Sequence, residues 1–147
     1  MTLLNVTVAS SSGTIRTVVY EGGKFPFADK EFDIVFSNST IEHVGDINDR
    51  KLFASEVQRC GKGFFVQTPS FWSPYEPHAQ IPFFQFVSSS AKIFLRRLFP
   101  ISPYPVEDLL NIHLLTKREL GVLFPDARIV KEHFLLFTKS YFIMNKI

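Results

Sequence analysis

A chain of 147 residues with 46% apolar and 20% charged residues has the size and composition of one globular domain, which excludes a disordered tail or a fibrous repeat. Its net charge of +2 arises from Lys and Arg scattered along the chain rather than gathered in a stripe, so no nucleic-acid partner is expected. The single cysteine, Cys60, excludes an internal disulfide and a cysteine-rich metal site, and fits a reducing, cytoplasmic setting.

The N-terminus lacks a basic region followed by a long apolar one, so it does not read as a signal peptide. Residues 3–9 form a short apolar, β-branched run that predicts a strand, followed by a turn at Ser10-Ser11-Ser12-Gly13. Residues 15–20 predict a second strand, broken by Glu21-Gly22-Gly23. The run 32–36 is nearly all apolar and suits a strand buried on both faces of a parallel sheet. Residues 46–59 turn helical, with Asp46 as cap, Phe53 and Val57 on one face and Gly61 as stop. A buried strand follows at 64–67, closed by Thr68-Pro69.

The segment 70–82 holds three further prolines and several aromatic residues, and reads as a long loop over a site. A helix is expected over 83–98, ending before Pro100. The stretch 81–99 is too often interrupted, by Pro82, three serines, Lys92, Arg96 and Arg97, to span a bilayer. Its mix of Phe and basic residues also suits an interfacial helix, holding a lipid-like acceptor or touching a membrane surface, against the simpler reading of a helix covering a pocket. Thr116 and Glu119 form a capping box that predicts a helix to about Phe124. Residues 128–137 and 140–145 predict an antiparallel pair turning at Thr138-Lys139. The fold class expected is α/β: a single domain over 1–147 with a mostly parallel, Rossmann-like sheet, a C-terminal antiparallel hairpin, and a loop-helix insertion at about 69–115. Seventeen Phe residues call for a large aromatic core or an apolar surface that needs covering.

Residues 25–44 read Phe-Pro-Phe-Ala-Asp-Lys-Glu-Phe-Asp-Ile-Val-Phe-Ser-Asn-Ser-Thr-Ile-Glu-His-Val. This string resembles the middle of a class I S-adenosylmethionine-dependent methyltransferase, of the type 11-like kind. There a Pro-Phe, then a Phe-Asp-hydrophobic run, then Glu-His lead from the third strand through the fourth. Val-Gln-Thr-Pro-Ser at 66–70 and Pro77-His78 extend the resemblance, which covers nearly the whole chain. It implies S-adenosylmethionine as cofactor and methyl transfer to a small-molecule or lipid-linked acceptor.

The resemblance also distributes roles. Glu21, at the end of the third-strand equivalent, would accept from the adenine amino group, with Gly22 allowing close approach; the simpler reading is a solvated acid in a tight turn. Ser37 and Asn38 would line the methionine end of the cofactor. Ligands of open α/β sheets bind beyond the carboxyl ends of the strands, which favours that position on physical grounds too, although Ser and Asn are also common where a chain leaves a strand. His43, after Glu42, faces the same cleft by resemblance, and Glu76 with His78 lies in the loop where the family recognises its acceptor. These three are the candidate catalytic residues, since positioning supplies most of the rate of an in-line methyl transfer and a base assists. For the Glu42-His43 pair, packing and turn-capping is the competing reading. His43, His78, His113 and His133 are far apart in sequence without zinc-ligand spacing, so no metal is expected.

The family's glycine-rich cofactor loop has no counterpart upstream of residue 25, and Ala9-Ser10 stand where an acid would meet the ribose. The expectation is therefore weak or absent cofactor binding by this chain. A truncated reading frame, or a non-catalytic interaction module whose sheet is completed by a partner chain, stands as the alternative to an active enzyme.

Overall fold

The computed structural model describes residues 1–5 and 16–145; the expected turn at 10–13 and residues 6–9 and 15 of the first two strands lie outside them. Two sheets carry the fold. Strands β1 (Thr2–Asn5) and β2 (Arg16–Val19) pair in parallel as a small sheet of their own. Strands β3 (Phe32–Asn38), β4 (Gly61–Pro69), β7 (Ala127–Phe134) and β8 (Phe137–Asn145) form a second sheet in the order β3-β4-β8-β7. In this sheet only β3–β4 runs parallel, while β4–β8 and β7–β8 are antiparallel. The α/β class holds, but the sheet is less parallel than the sequence suggests.

The main core lies under one face of the four-stranded sheet. Helix α1 (Ile47–Cys60) and helix α4 (Lys117–Leu123) bury Val57, Leu120 and Leu123 against Val66, Tyr141 and Ile143, with Ile41 and Phe124 fully enclosed. Both helices start on capping boxes. Asp46 accepts from the backbone of Asn48 and Asp49, and Thr116 pairs with Glu119. Arg59 ties the preceding segment to α1, donating to the carbonyls of Phe25 and Phe27 and bridging Glu56 and Asp29 at 2.6 and 2.7 Å. That pins the entry into β3.

Three expectations are corrected. The 32–36 run is not buried on both faces: β3 is an edge strand with Ile34 and Phe36 about two-thirds exposed at 69% and 68%. Its outward aromatics instead form a ladder, Phe36 stacking on Phe65 and Phe65 tilting onto Phe142 at 5.8 and 5.6 Å. The helix expected over 83–98 is split. A short 3-10 turn at Phe84–Phe86 is followed by extended Val87, and Ser88 then caps α2 (Ser89–Leu98) by accepting from the Ala91 backbone. The hairpin turns at Leu135-Leu136, since Phe134 pairs with Phe137 and His133 with Thr138.

The loop 70–82 is more ordered than expected. It contains a two-residue hairpin, β5 (Tyr75–Glu76) with β6 (Ile81–Pro82). Ala79, Ile81 and Phe84 form a second, small apolar cluster with Leu109 of α3 (Val106–Asn111), a helix the sequence reading lacks.

Candidate functional site

The end of β3 and the β5–β6 hairpin converge on four ionisable residues. After Asn38 the chain turns sharply at Ser39, whose φ is +49°, and its N–H donates to the Gln67 carbonyl at 3.0 Å. A single 3-10 turn at Ile41–His43 then buries Ile41 and Glu42 and leaves His43 at the surface. Glu42 is 1% exposed; one carboxylate oxygen accepts from the Thr68 hydroxyl at 2.8 Å, while the other is buried without a hydrogen-bond partner among the described residues. Burial pushes this carboxyl above its ordinary pKa, against the opposing pull of its own backbone and of Thr68.

The hairpin presents the other half. Glu76 and His78 are both buried, and His78 Nδ1 lies 2.7 Å from Glu76 Oε1. The second Glu76 oxygen accepts from the Ala79 backbone, and Ser102 Oγ donates to the His78 carbonyl at 2.5 Å. His78 Nε2 stands 3.2 Å from His43 Nε2, the two rings edge to face at 4.8 Å. Burial works against the charged form of His78, but the hydrogen bond and charge of Glu76, helped by Glu42, outweigh it and raise its pKa. Glu76 is correspondingly lowered, since its hydrogen bonds to His78 and Ala79 overcome its burial. His43 is lowered, by burial first and the charge of His78 second. The result is a carboxylate-backed imidazole touching a neutral, exposed one.

The structure thus brings His43, Glu76 and His78 into one cluster, and adds Glu42, Thr68 and Ser102. Glu42 was legible in the Glu-His pair; Thr68 lay in the Val-Gln-Thr-Pro-Ser string without a role, and Ser102 carries no sequence signal, because only the tertiary fold brings it here. The cofactor candidates are dispersed along the strand ends. Glu21 and Gly22 follow β2, where Gly22 takes φ of +103°, and both are exposed. Ser37 is buried with a hydroxyl that has no partner among the described residues, and Asn38 is exposed. A cleft of about 560 Å³ beside the cluster is lined by Ser39, Gln67, Tyr75, Pro77, Phe134 and Ser140, so Ser39 rather than Asn38 borders it. A wider cleft of about 690 Å³ lies beyond Pro74, with Trp72, Phe83, Phe86, Leu136 and Phe137 beside Lys117, Arg118 and Lys131. Among the described residues no helix is long and apolar enough to cross a membrane.

Comparison with known proteins finds a family likeness over part of the chain. Residues 4–64 match the family described as a methyltransferase domain. Uncharacterized proteins of two Mycobacterium tuberculosis strains are each 30% identical to it over 71 residues, which is 48% of this chain and 24% of theirs. The chain thus spans about a quarter of the length of these curated relatives. Among solved structures, the PH0226 protein from Pyrococcus horikoshii aligns with a TM-score of 0.51 at 18% identity, over 89% of this chain and 58% of that one. A SAM-dependent methyltransferase from Aquifex aeolicus aligns at 0.49 and 14% identity, over 90% and 55%. The sheet is Rossmann-like, and the likeness to a methyltransferase domain is carried by residues 4–64.

Proposed function

We propose that this chain serves S-adenosylmethionine-dependent methyl transfer to a small molecule bearing a hydroxyl or amine, with the acceptor held against His43. The observation that carries the reading is the line Glu76–His78–His43, joined at 2.7 and 3.2 Å and ending at an exposed imidazole beside the carboxyl end of β3. The cofactor supplies an electrophilic methyl on a sulfonium. For its adenine end we assign Glu21 and Gly22, and for its methionine end Ser37 and Asn38. The buried Ser37 hydroxyl, without a hydrogen-bond partner among the described residues, suits a polar ligand group there.

His43 is neutral near pH 7 and takes the acceptor's proton as the new bond to the methyl carbon forms. His78, oriented by Glu76, holds the His43 ring in place, and the Glu76 charge favours the resulting imidazolium. A positioned base of this kind is worth roughly 10²–10⁴-fold in rate. The aromatic lining of the wider cleft favours an acceptor with an apolar, lipid-like portion. The test is conversion of the cofactor to its demethylated thioether across a panel of hydroxylated acceptors with and without acyl chains. His43→Ala should lower turnover by at least about a hundredfold without unfolding the chain. Unchanged turnover would overturn the assignment.

A second reading is a non-catalytic module completed by another chain. It is favoured by the outer edge of β3, which no strand pairs in the four-stranded sheet and which exposes Ile34 and Phe36. Light scattering that finds a stable complex, together with failure to bind cofactor, supports it; a cofactor-binding monomer does not.

A further inference from the structure

The Glu42–His43–His78 cluster has a second chemical property that proton transfer leaves unused. One ligand atom from each residue lies within 4.8 Å of the other two. One oxygen of the buried Glu42 carboxyl has no hydrogen-bond partner among the described residues, so the ionised form is costly there unless a cation sits beside it. We propose that Glu42, His43 and His78 form a site for a divalent transition-metal cation, zinc being the best match, with Glu76 as the residue that orients His78.

Four observations converge. Two imidazoles and a carboxylate are a donor set zinc favours, and a set of three protein ligands leaves a fourth position open. Two nitrogens each about 2.0–2.1 Å from a tetrahedral ion stand roughly 3.3 Å apart; the two Nε2 atoms here are 3.2 Å apart. His78 already engages Glu76 through Nδ1, the outer-sphere pairing that fixes the tautomer of a metal-binding histidine and leaves Nε2 as the ligand atom. The first two ligands are held on a tight 3-10 turn and the third on a hairpin braced by Ser102, so the set is positioned before any ion arrives. The competing account is a plain hydrogen bond between the two histidines, which satisfies both rings but leaves Glu42 as it is.

The proposal rests on the preceding reading only in placing the acceptor at the open position; the cation site itself stands on the ligand geometry. The ion-free relay and the ion-bridged pair are two states of one cluster, in which His43 is base or ligand respectively.

The full chain, stripped with a chelator and dialysed, is titrated with zinc chloride by calorimetry and with cobalt(II) by visible absorbance. One equivalent should bind, and cobalt should give the intense bands of a tetrahedral site. His43→Ala, a change at an exposed position, should weaken zinc at least tenfold, and Glu76→Gln by roughly 10–100-fold. Circular dichroism of each variant checks folding, and the wild-type stoichiometry and cobalt spectrum stand even where a variant fails to fold. Absence of stoichiometric binding, an octahedral cobalt spectrum, or zinc affinity untouched by His43→Ala overturns the site. Methyl transfer by a chain that binds no stoichiometric zinc sinks this inference alone, while stoichiometric zinc binding by a chain that transfers no methyl group, zinc-loaded or chelated, sinks the functional reading alone.

Discussion

The sheet-and-helix half of the molecule and the segment from Phe71 to Asn111 meet at the site but are held together differently. The first buries thirteen apolar side chains in one cluster, several with no exposure at all. The second encloses only Ala79, Ile81, Phe84 and Leu109, and its helix α2 has no buried residue. Polar bonds hold it instead: Gln85 donates to the Phe71 and Ser73 carbonyls, and Arg96 to those of Phe99, Ser102 and Tyr104. One half supplies a rigid wall carrying Glu42 and Thr68. The other supplies Glu76 and His78 on a scaffold with little buried apolar surface, which is expected to open at lower free energy than the wall.

The largest expected effect tests that division. Phe124 is fully buried at the centre of the main cluster, so Phe124→Ala should cost about 3–5 kcal/mol of global stability in urea denaturation. Phe84→Ala, in the small cluster, should shift the urea midpoint far less while accelerating hydrogen exchange across the β5–β6 hairpin and α3. Equal global costs would show that the two halves fold as one unit.

Next is the Glu76–His78 pair, whose contribution is set by pH. Folding raises the His78 pKa above its ordinary value of 6.5, so its share of stability is full below 6.5 and is lost as pH rises through the folded value. Folding lowers Glu76 below its ordinary 4.5, so its share is full above 4.5 and is lost as pH falls through the folded value. His43, lowered on folding, opposes stability as pH falls below 6.5. Glu76→Gln should therefore cost most, about 1.5–3 kcal/mol, at pH 5–6 and progressively less above pH 7. A penalty independent of pH would mean that the buried pair carries no charge.

Third in size is the α4 cap. Thr116→Ala removes the hydroxyl that accepts from the Glu119 backbone, and should cost about 1 kcal/mol in thermal denaturation. Because α4 belongs to the wall, hydrogen exchange in the β5–β6 hairpin should be unchanged.

These contrasts follow what the sequence could and could not show. Local signals were readable: Asp46 and Thr116 cap helices because their side chains reach backbone N–H groups two or three residues on. The Glu42-His43 and Glu76–His78 pairs were marked in the sequence, but nothing in the spacing of 35 residues between the two histidines shows their Nε2 atoms meeting. The exposure of β3 was hidden for a different reason. An apolar run reads as buried whether it lies inside a sheet or at its edge, since position in a sheet is set by strands distant in sequence. The split at Val87 turned on which of three serines caps α2, and it is Ser88 that accepts from the Ala91 backbone.

The hairpin turn was misplaced because its residues are not turn formers, and that yields the smallest prediction. Thr138 and Lys139 look like a polar turn, whereas the chain reverses at Leu135-Leu136, both strongly exposed at 81% and 95%. Leu135 takes φ of +53°, a left-handed conformation that costs a residue with a Cβ roughly 1–2 kcal/mol. Asn tolerates this region because its short side chain bonds to nearby backbone, and an exposed leucine gives up little packing when replaced. Leu135→Asn should therefore stabilise the protein, by about 0.5–1 kcal/mol in urea denaturation. Leu135→Gly relieves the same strain but gains less, because glycine adds freedom to the unfolded chain. A loss of stability in both variants would mean that Leu135 is covered in solution. The apolar tip Phe134–Phe137 would then belong to an interface rather than to a strained, solvent-facing turn.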